Sequence, residues 1–210
     1  MRLFILGATG RTGVELTDLA LARGHDVTAF VRSPGKIVRR DERLTVVKGD
    51  PRDARAMAEA MRGRDAVISA LGPSPREALW TGTTLLRDCA ASATEAMRWS
   101  GVGRGFLVSA ALLFDGGGPL FAAGRFVLRH HLKDMRAAED VVRASGQDWT
   151  IARPPGLYVG KDESYVSRED GLPAGALRMS FRAVAAFVLD AAEKNAHSRK
   201  IVGLGASGRT

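Results

Sequence analysis

The sequence predicts an α/β fold with a doubly wound parallel sheet, and three observations support this prediction. Short apolar runs alternate with longer amphipathic segments along the 210 residues, which is the order of repeated strand–helix units. The apolar runs are continuous, as in parallel strands covered on both faces. Turn residues separate the two kinds of segment. Right-handed crossovers would then wind the sheet in two directions.

The first three elements have clear boundaries. The apolar run 3–6 predicts a strand, and the amphipathic segment 12–23 predicts a helix that Gly24 ends. The run 26–31 predicts the second strand, because the turn signal Ser33-Pro34-Gly35 follows it.

The next three elements repeat this order. Residues 44–48 predict a third strand, and residues 52–61 predict a helix with Pro51 in its first turn, where a missing N–H has no cost. Residues 65–70 predict a fourth strand. The segment Leu71-Gly72-Pro73-Ser74-Pro75 ends it.

The second half continues the alternation. A long helical pattern over 77–99 leads to a strand at 106–109, and a second helical pattern over 127–145 leads to a strand at 149–152. A helix at 180–194 and a last strand at 200–204 close the chain. The more polar segment 157–178 has weaker signals, so we expect a small cap region there.

Bulk properties limit the class of protein. The length suits one domain over residues 1–210. No apolar run reaches the ~18 residues of a membrane span and no signal peptide is evident, so we expect a cytoplasmic protein without membrane partners. Cys89 is the single cysteine, and no residue spacing suggests a metal. The net charge of +8 comes from scattered arginines with few aromatics, so no nucleic-acid surface is expected.

The segment Gly7-Ala8-Thr9-Gly10-Arg11-Thr12-Gly13 carries the strongest functional signal. It lies between a strand and a helix, where a glycine fingerprint indicates dinucleotide binding in a Rossmann-like fold. Gly7 allows a sharp turn, Gly10 lets the backbone approach a pyrophosphate, and Gly13 lets the helix pack close to the sheet. Thr9, Arg11 and Thr12 complete the loop, and the helix N-terminus favours phosphate. The GxxGxxG spacing is a variant of the usual GxGxxG.

The end of the second strand indicates which nucleotide binds. An acidic residue there is typical of NAD, whereas this chain has Arg32 and Ser33, which suit a 2′-phosphate. Arg11 is a further candidate, and we therefore predict NADP(H). Asp50 could accept from the adenine amino group or cap the helix at Pro51. Ligands bind at the carboxyl ends of the strands, which adds Leu71 and Gly72 to the cofactor site.

Together these residues resemble the atypical short-chain dehydrogenases/reductases with NmrA-like NAD(P)-binding domains, especially the flavin reductase/biliverdin-IXβ reductase type. The resemblance covers nearly the whole chain and depends on the glycine loop and on five further segments: Val31-Arg32-Ser33, Gly49-Asp50, Asp65–Ile68 with Leu71-Gly72, Val108-Ser109-Ala110, and Val142–Pro154. It implies hydride transfer from NADPH to a flavin or similar planar acceptor.

The resemblance also implies an acceptor site. It places Ser109 near the nicotinamide, and Pro154 in a stretch that passes the carboxamide. Ala110 and the apolar residues Leu112, Leu113 and Phe114, followed by a glycine-rich segment, predict a mobile loop suited to a planar substrate.

The usual catalytic pair of these enzymes is missing. No YxxxK motif occurs in the chain, and its positions fall near His131 and Met135. His131 is the better acid/base candidate, and Lys133 replaces the lysine if the helix register differs. A planar acceptor can take its proton from solvent, so a reductase without the pair is feasible. An NmrA-like NADP(H) sensor without turnover, and a sugar-nucleotide or quinone reductase using His131 or Lys133, are the alternatives.

Overall fold

The computed structural model, which describes residues 1–72, 84–116 and 118–207, confirms the predicted α/β class with a doubly wound sheet. Eight strands form the main sheet in the order β3-β2-β1-β4-β5-β6-β10-β8. Their bounds are β1 Arg2–Leu6, β2 Asp26–Val31, β3 Leu44–Lys48, β4 Ala66–Ser69, β5 Arg104–Val108, β6 Asp148–Arg153, β8 Tyr165–Glu169 and β10 Ile201–Ala206. A separate parallel pair joins β7 Gly156–Tyr158 to β9 Arg178–Ser180.

The order in which successive strands are added to the sheet reverses at β1. This strand pairs in parallel with β2 on one side and with β4 on the other, so the chain first builds outward to β3 and then restarts at β4. Such a switch point leaves a crevice at the carboxyl ends of the strands. All other neighbours in the main sheet are parallel except β10 and β8.

Helices cover both faces of the sheet. Their bounds are α1 Arg11–Ala22, α2 Ala54–Met61, α3 Leu85–Ser100, α4 Gly118–Val127, α5 Arg129–Ala144 and α6 Phe181–Glu193. Leu3 and Ile5 of β1 join the core cluster with α1 and α6, whereas Phe4 and Leu6 join the cluster with α2, α3 and α5. Strand side chains alternate between faces, so a continuous apolar run supplies both cores.

The start of α2 differs from the prediction. Proline at 51 predicted a helix from residue 52, but α2 begins at Ala54 with Asp53 as its N-cap. The Asp53 carboxylate accepts from the N–H groups of Arg55 at 3.1 Å and Ala56 at 3.0 Å. An aspartate N-cap accepts hydrogen bonds from free N–H groups at the start of a helix, whereas a proline in the first turn only removes one such group.

Two further predictions need correction. The apolar residues 111–114 and the glycine-rich segment after them predict a mobile loop, but residues 111–113 form a 3₁₀ turn and helix α4 begins at Gly118. The helix predicted at 127–145 is present as α5, Arg129–Ala144. The cap region 157–178 contains β8, which pairs with β10 in the main sheet. Its mostly exposed side chains are typical of an edge strand, and without an apolar run the sequence does not predict this strand. Residues 77–83 of the predicted helix 77–99 lie outside the described residues.

No helix among the described residues is long and apolar enough to cross a bilayer.

Candidate functional site

The glycine loop turns sharply between β1 and α1. Gly7 has a φ of +81°, and a Cβ there would lie 2.6 Å from the carbonyl oxygen of Ala70. A Cβ on Gly13 would lie 2.1 Å from the carbonyl oxygen of Gly7. Both positions therefore require glycine, one for its backbone conformation and both for space. The Gly10 N–H donates to the Gly7 carbonyl at 2.9 Å and closes the turn.

A cleft of about 390 Å³ opens beside this loop at the switch point. It brings together most of the predicted cofactor residues, namely Gly7, Thr9, Gly10, Arg11, Arg32, Leu71 and Gly72. Six further residues line the cleft that the sequence did not indicate as cofactor residues: Phe30, Val31, Lys36, Pro51, Ala70 and Leu85. Thr12 and Gly13 lie in the first turn of α1, whereas Ser33 and Asp50 are not among the residues that line the cleft.

Three cationic side chains line this cleft. Arg11, Arg32 and Lys36 come from the glycine loop, from the end of β2 and from the 3₁₀ turn Pro34–Lys36. The Arg11 guanidinium is 4.9 Å from the ring centroid of Phe181, so a cation–π contact joins this side chain to the first residue of α6. With the N-terminus of α1, these cations make the cleft suited to a polyanion. The position of Lys36, after a turn, gave no signal in the sequence.

The Asp50 carboxylate is hydrogen-bonded to Arg52. It accepts from the Arg52 N–H at 2.9 Å and from the Arg52 guanidinium at 3.1 Å and 2.6 Å. These hydrogen bonds lower the pKa of Asp50 to about 2. The carboxylate does not cap α2, because Asp53 has that role, so that alternative for Asp50 is wrong.

A second, mostly apolar pocket of about 350 Å³ follows the carboxyl ends of β5 and β6. Its lining includes four predicted residues, Ala110, Leu112, His131 and Pro154. It also includes Ala111, Pro155 and Gly156, which adjoin these predicted residues, and four residues that the sequence did not indicate, namely Phe121, Leu128, Leu132 and Leu177. Leu113 is buried, and Phe114 instead lines a neighbouring cavity that shares Phe121 and Leu177 with this pocket. Helix α4 supplies Phe121, so an element that the sequence did not predict closes the pocket.

His131 is the only titratable group among the described residues that line this apolar pocket. Burial lowers its pKa below the ordinary value of 6.5, so the imidazole is neutral at pH 7. Met135, the other position of the missing pair, is buried, and Lys133 is exposed outside the pocket lining.

Ser109 belongs to a buried ionic cluster. Its hydroxyl donates to Glu139 of α5 at 2.5 Å, and the same carboxylate accepts from Arg153 Nε at 3.0 Å and Arg153 Nη2 at 2.5 Å. The Arg153 guanidinium also lies 4.6 Å from the ring centroid of Phe114. The cluster ties β5, β6 and α5 together behind the pocket, and the Ser109 proton is directed at Glu139.

These features define a dinucleotide-binding α/β protein: a parallel sheet with a switch point, a glycine-dependent turn and a cationic cleft. The model of the NAD(P)H-binding family matches residues 7–195, and the chain belongs to that family.

The relatives are diverse in their described activities. The chain is 32% identical over 155 residues to ceramide reductase of Caulobacter vibrioides, covering 73% of this chain and 45% of that protein. It is 28% identical over 181 residues to the uncharacterized sugar epimerase YhfK of Bacillus subtilis, covering 83% of this chain and 81% of that protein. The chain spans 33% to 59% of the length of three curated relatives.

Two solved structures share the fold. A wide-type short-chain dehydrogenase/reductase from Veillonella parvula, in complex with NADP, has a TM-score of 0.81 and 23% identity, covering 99% of this chain and 95% of that one. A candidate NADH-flavin reductase from Streptococcus pneumoniae has a TM-score of 0.77 and 21% identity, covering 99% and 100%.

Proposed function

We propose that this protein is an NADPH-dependent oxidoreductase of the atypical short-chain type, which transfers hydride to a flavin or related planar acceptor. One observation carries the proposal: the cationic cleft and the apolar pocket lie along the same edge of the sheet. The cleft follows β1, β2 and β4, and the pocket follows β5 and β6, which come next in strand order. A dinucleotide held by its phosphates at the glycine loop would extend toward the pocket.

The lining of the pocket suits a planar acceptor. Most of its residues are apolar, and His131 is neutral at pH 7 because burial lowers its pKa. Bound NADPH would supply the hydride, and a flavin ring completes its reduction with a proton from solvent. The protein then has to bind and orient the two ring systems and exclude water between them. The Ser109–Glu139–Arg153 cluster would act as a positioning group, since it fixes the loop that follows β5.

The direct test is NADPH oxidation with and without riboflavin, FMN or a simple quinone, followed by the loss of reduced-nicotinamide absorbance. Oxidation that depends on the acceptor supports a reductase. Tight NADPH binding by fluorescence without oxidation in any mixture would contradict the proposal and favour a redox sensor of the NmrA type. Absence of NADPH binding would overturn the cofactor assignment itself.

Replacing Arg32 with serine is expected to weaken NADPH binding about tenfold or more while changing NADH binding little. Arg32 lines the cleft after β2, and a guanidinium–phosphate pair contributes about 1.5–3 kcal/mol. The measurement is the dissociation constant of each cofactor by fluorescence titration. The control is Arg39→Ser, which removes a nearby exposed cation that does not line the cleft. Equal losses for both cofactors would contradict the 2′-phosphate assignment.

Replacing His131 with glutamine is expected to change kcat/KM for a flavin by less than about threefold, because the acceptor needs no protein acid. If His131 were a general acid, its loss would lower kcat/KM about 10²–10⁴-fold.

The His131→Gln variant should also be more stable than the wild type at acid pH. The pKa of His131 is lower in the folded protein than the unfolded value of 6.5, so the unfolded chain binds more protons below pH 6.5. Thermal unfolding at pH 7.5 and pH 5.5 measures the difference; an equal pH dependence in both proteins would contradict the burial of this imidazole.

A further inference from the structure

Helix α4 exposes an apolar face. The side chains of Phe126 and Val127 are 71% and 54% exposed, and Ala122 and Ala123 are exposed on the same side. The opposite side contributes Phe121 to the apolar pocket. An aromatic ring that remains in water forgoes the free energy of burial, so a contiguous apolar face of this kind marks an interaction surface.

Cations border this face. Arg129, Lys133 and Arg136 are spaced by four and three residues, so they lie on one face of α5, and Arg125 lies in the last turn of α4 just before the junction. None of the four makes an ion pair with any residue in the described part of the chain. The guanidinium groups of Arg125 and Arg136 donate to backbone carbonyls of the segment 113–116, so Arg129 and Lys133 are the cations that the test changes. The Arg129 guanidinium is 5.0 Å from the ring centroid of Phe126, which places positive charge directly beside the apolar face.

The same segment forms a wall of the apolar pocket. Phe121, Leu128 and His131 line it from α4, the junction and α5. Leu177, which is 58% exposed, lines the pocket from the opposite segment and marks its opening to solvent. The exposed apolar face and the pocket are therefore the outer and inner sides of one layer of structure.

We propose that the α4–α5 junction, defined by Ala122, Ala123, Phe126, Val127 and the four cations, binds the surface of an anionic lipid bilayer. Apolar side chains bordered by lysine and arginine are what a headgroup layer binds, the rings entering the acyl boundary and the cations pairing with lipid phosphates. A helix lying in the bilayer surface needs no membrane span. An apolar acceptor dissolved in the bilayer would then reach the pocket across a single layer of side chains.

A second copy of this chain fits the surface less well. A two-fold interface brings the same patch of both subunits together, so it would contain the four cations of each copy. Like charges in such contact repel, and the described part of the patch contains no carboxylate to offset them. Anionic lipid supplies the missing charge.

Flotation with vesicles tests the proposal without any turnover, so its failure is distinct from failure of the proposed reductase. The wild-type protein should bind vesicles of mixed phosphatidylglycerol and phosphatidylcholine, and binding should weaken with salt because exposed charges are screened. Phe126→Ser/Val127→Ser and Arg129→Glu/Lys133→Glu should each reduce bound protein about tenfold. Unchanged thermal midpoints would show that both variants remain folded.

The chain offers a matched control elsewhere. Arg98 and Trp99 at the end of α3 form another exposed cation–aromatic pair, 5.8 Å apart, at the opposite edge of the sheet, just before β5 begins. The Arg98→Glu/Trp99→Ser variant should bind vesicles as the wild type does. Binding to pure phosphatidylcholine with equal strength, equal loss in the control variant, or no binding to anionic vesicles would overturn the proposal. The proposal would also be overturned if the wild-type protein sedimented as a stable dimer and the Phe126→Ser variant sedimented as a monomer.

Discussion

Replacing Gly13 with alanine is expected to destabilise the protein by about 3 kcal/mol, the upper end of the range for overpacking, and to abolish tight NADPH binding. The added Cβ would lie 2.1 Å from the Gly7 carbonyl oxygen and 2.7 Å from the Ala8 Cα. Both obstacles are backbone atoms, so no side chain can rotate away. The first turn of α1 must move, and the N–H groups that would face the phosphates move with it.

The measurements are urea unfolding and fluorescence titration with NADPH. Gly103→Ala is the control, because a Cβ at Gly103 would meet nothing within 4 Å and its φ is not in the left-handed region. That control should stay within about 1 kcal/mol of the wild type, since a glycine-to-alanine change without strain has only a small effect. If Gly13→Ala bound NADPH with wild-type affinity, the glycine loop would not be the phosphate site.

The second large effect is expected from Glu139→Gln, which should cost about 3–5 kcal/mol because it leaves the buried Arg153 guanidinium without its counter-charge. The side chains of Glu139 and Arg153 are 2% and 8% exposed, and two hydrogen bonds join them. Ser109 would also lose its charged acceptor. For a chain of this size the loss corresponds to a fall of about 10 °C in Tm.

Two comparisons separate this loss from a general effect of neutralising a glutamate. Glu95→Gln breaks an exposed pair with Arg98 and should cost less than about 1 kcal/mol. The double variant Glu139→Leu/Arg153→Met removes both charges and should be more stable than Glu139→Gln alone. The single variants Glu139→Leu and Arg153→Met complete the comparison. If the double variant lost as much unfolding free energy, relative to the wild type, as the two single variants lose together, the two groups would not interact.

Much of the fold could be predicted because its signals are local. The strands at 26–31 and 44–48 have the predicted bounds, and the glycine loop lies where the pattern predicted it, between β1 and α1. Continuous apolar runs and glycine turns depend on a few neighbouring residues. Strand β8 depends on a distant partner, because it forms by pairing with β10. Helix α4 follows a glycine-rich segment whose composition is typical of a loop, so the sequence does not predict it.

The candidate site shows the same division. Arg11 and Arg32 could be proposed because they adjoin recognisable strand ends, whereas Lys36 enters the cleft through a 3₁₀ turn. Residue spacing along the predicted helix indicates His131, and this side chain lines the pocket. The partner of Ser109 could not be found in this way, because Glu139 lies 30 residues later and on another element. Burial and pairing of charged side chains are properties of the assembled layers.

The Asp134 side chain connects the cationic cleft with the apolar pocket. The Asp134 carboxylate of α5 accepts from the N–H groups of Leu86 at 3.0 Å and Arg87 at 3.1 Å, at the first turn of α3. Leu85, next to them, lines the cationic cleft, and His131, one helical turn before Asp134, lines the apolar pocket. A displacement of α5 by an acceptor would therefore pull on the residues beside the dinucleotide. Thermodynamic linkage requires any such coupling to be reciprocal, so the factor by which one ligand alters the other's affinity is the same in both directions.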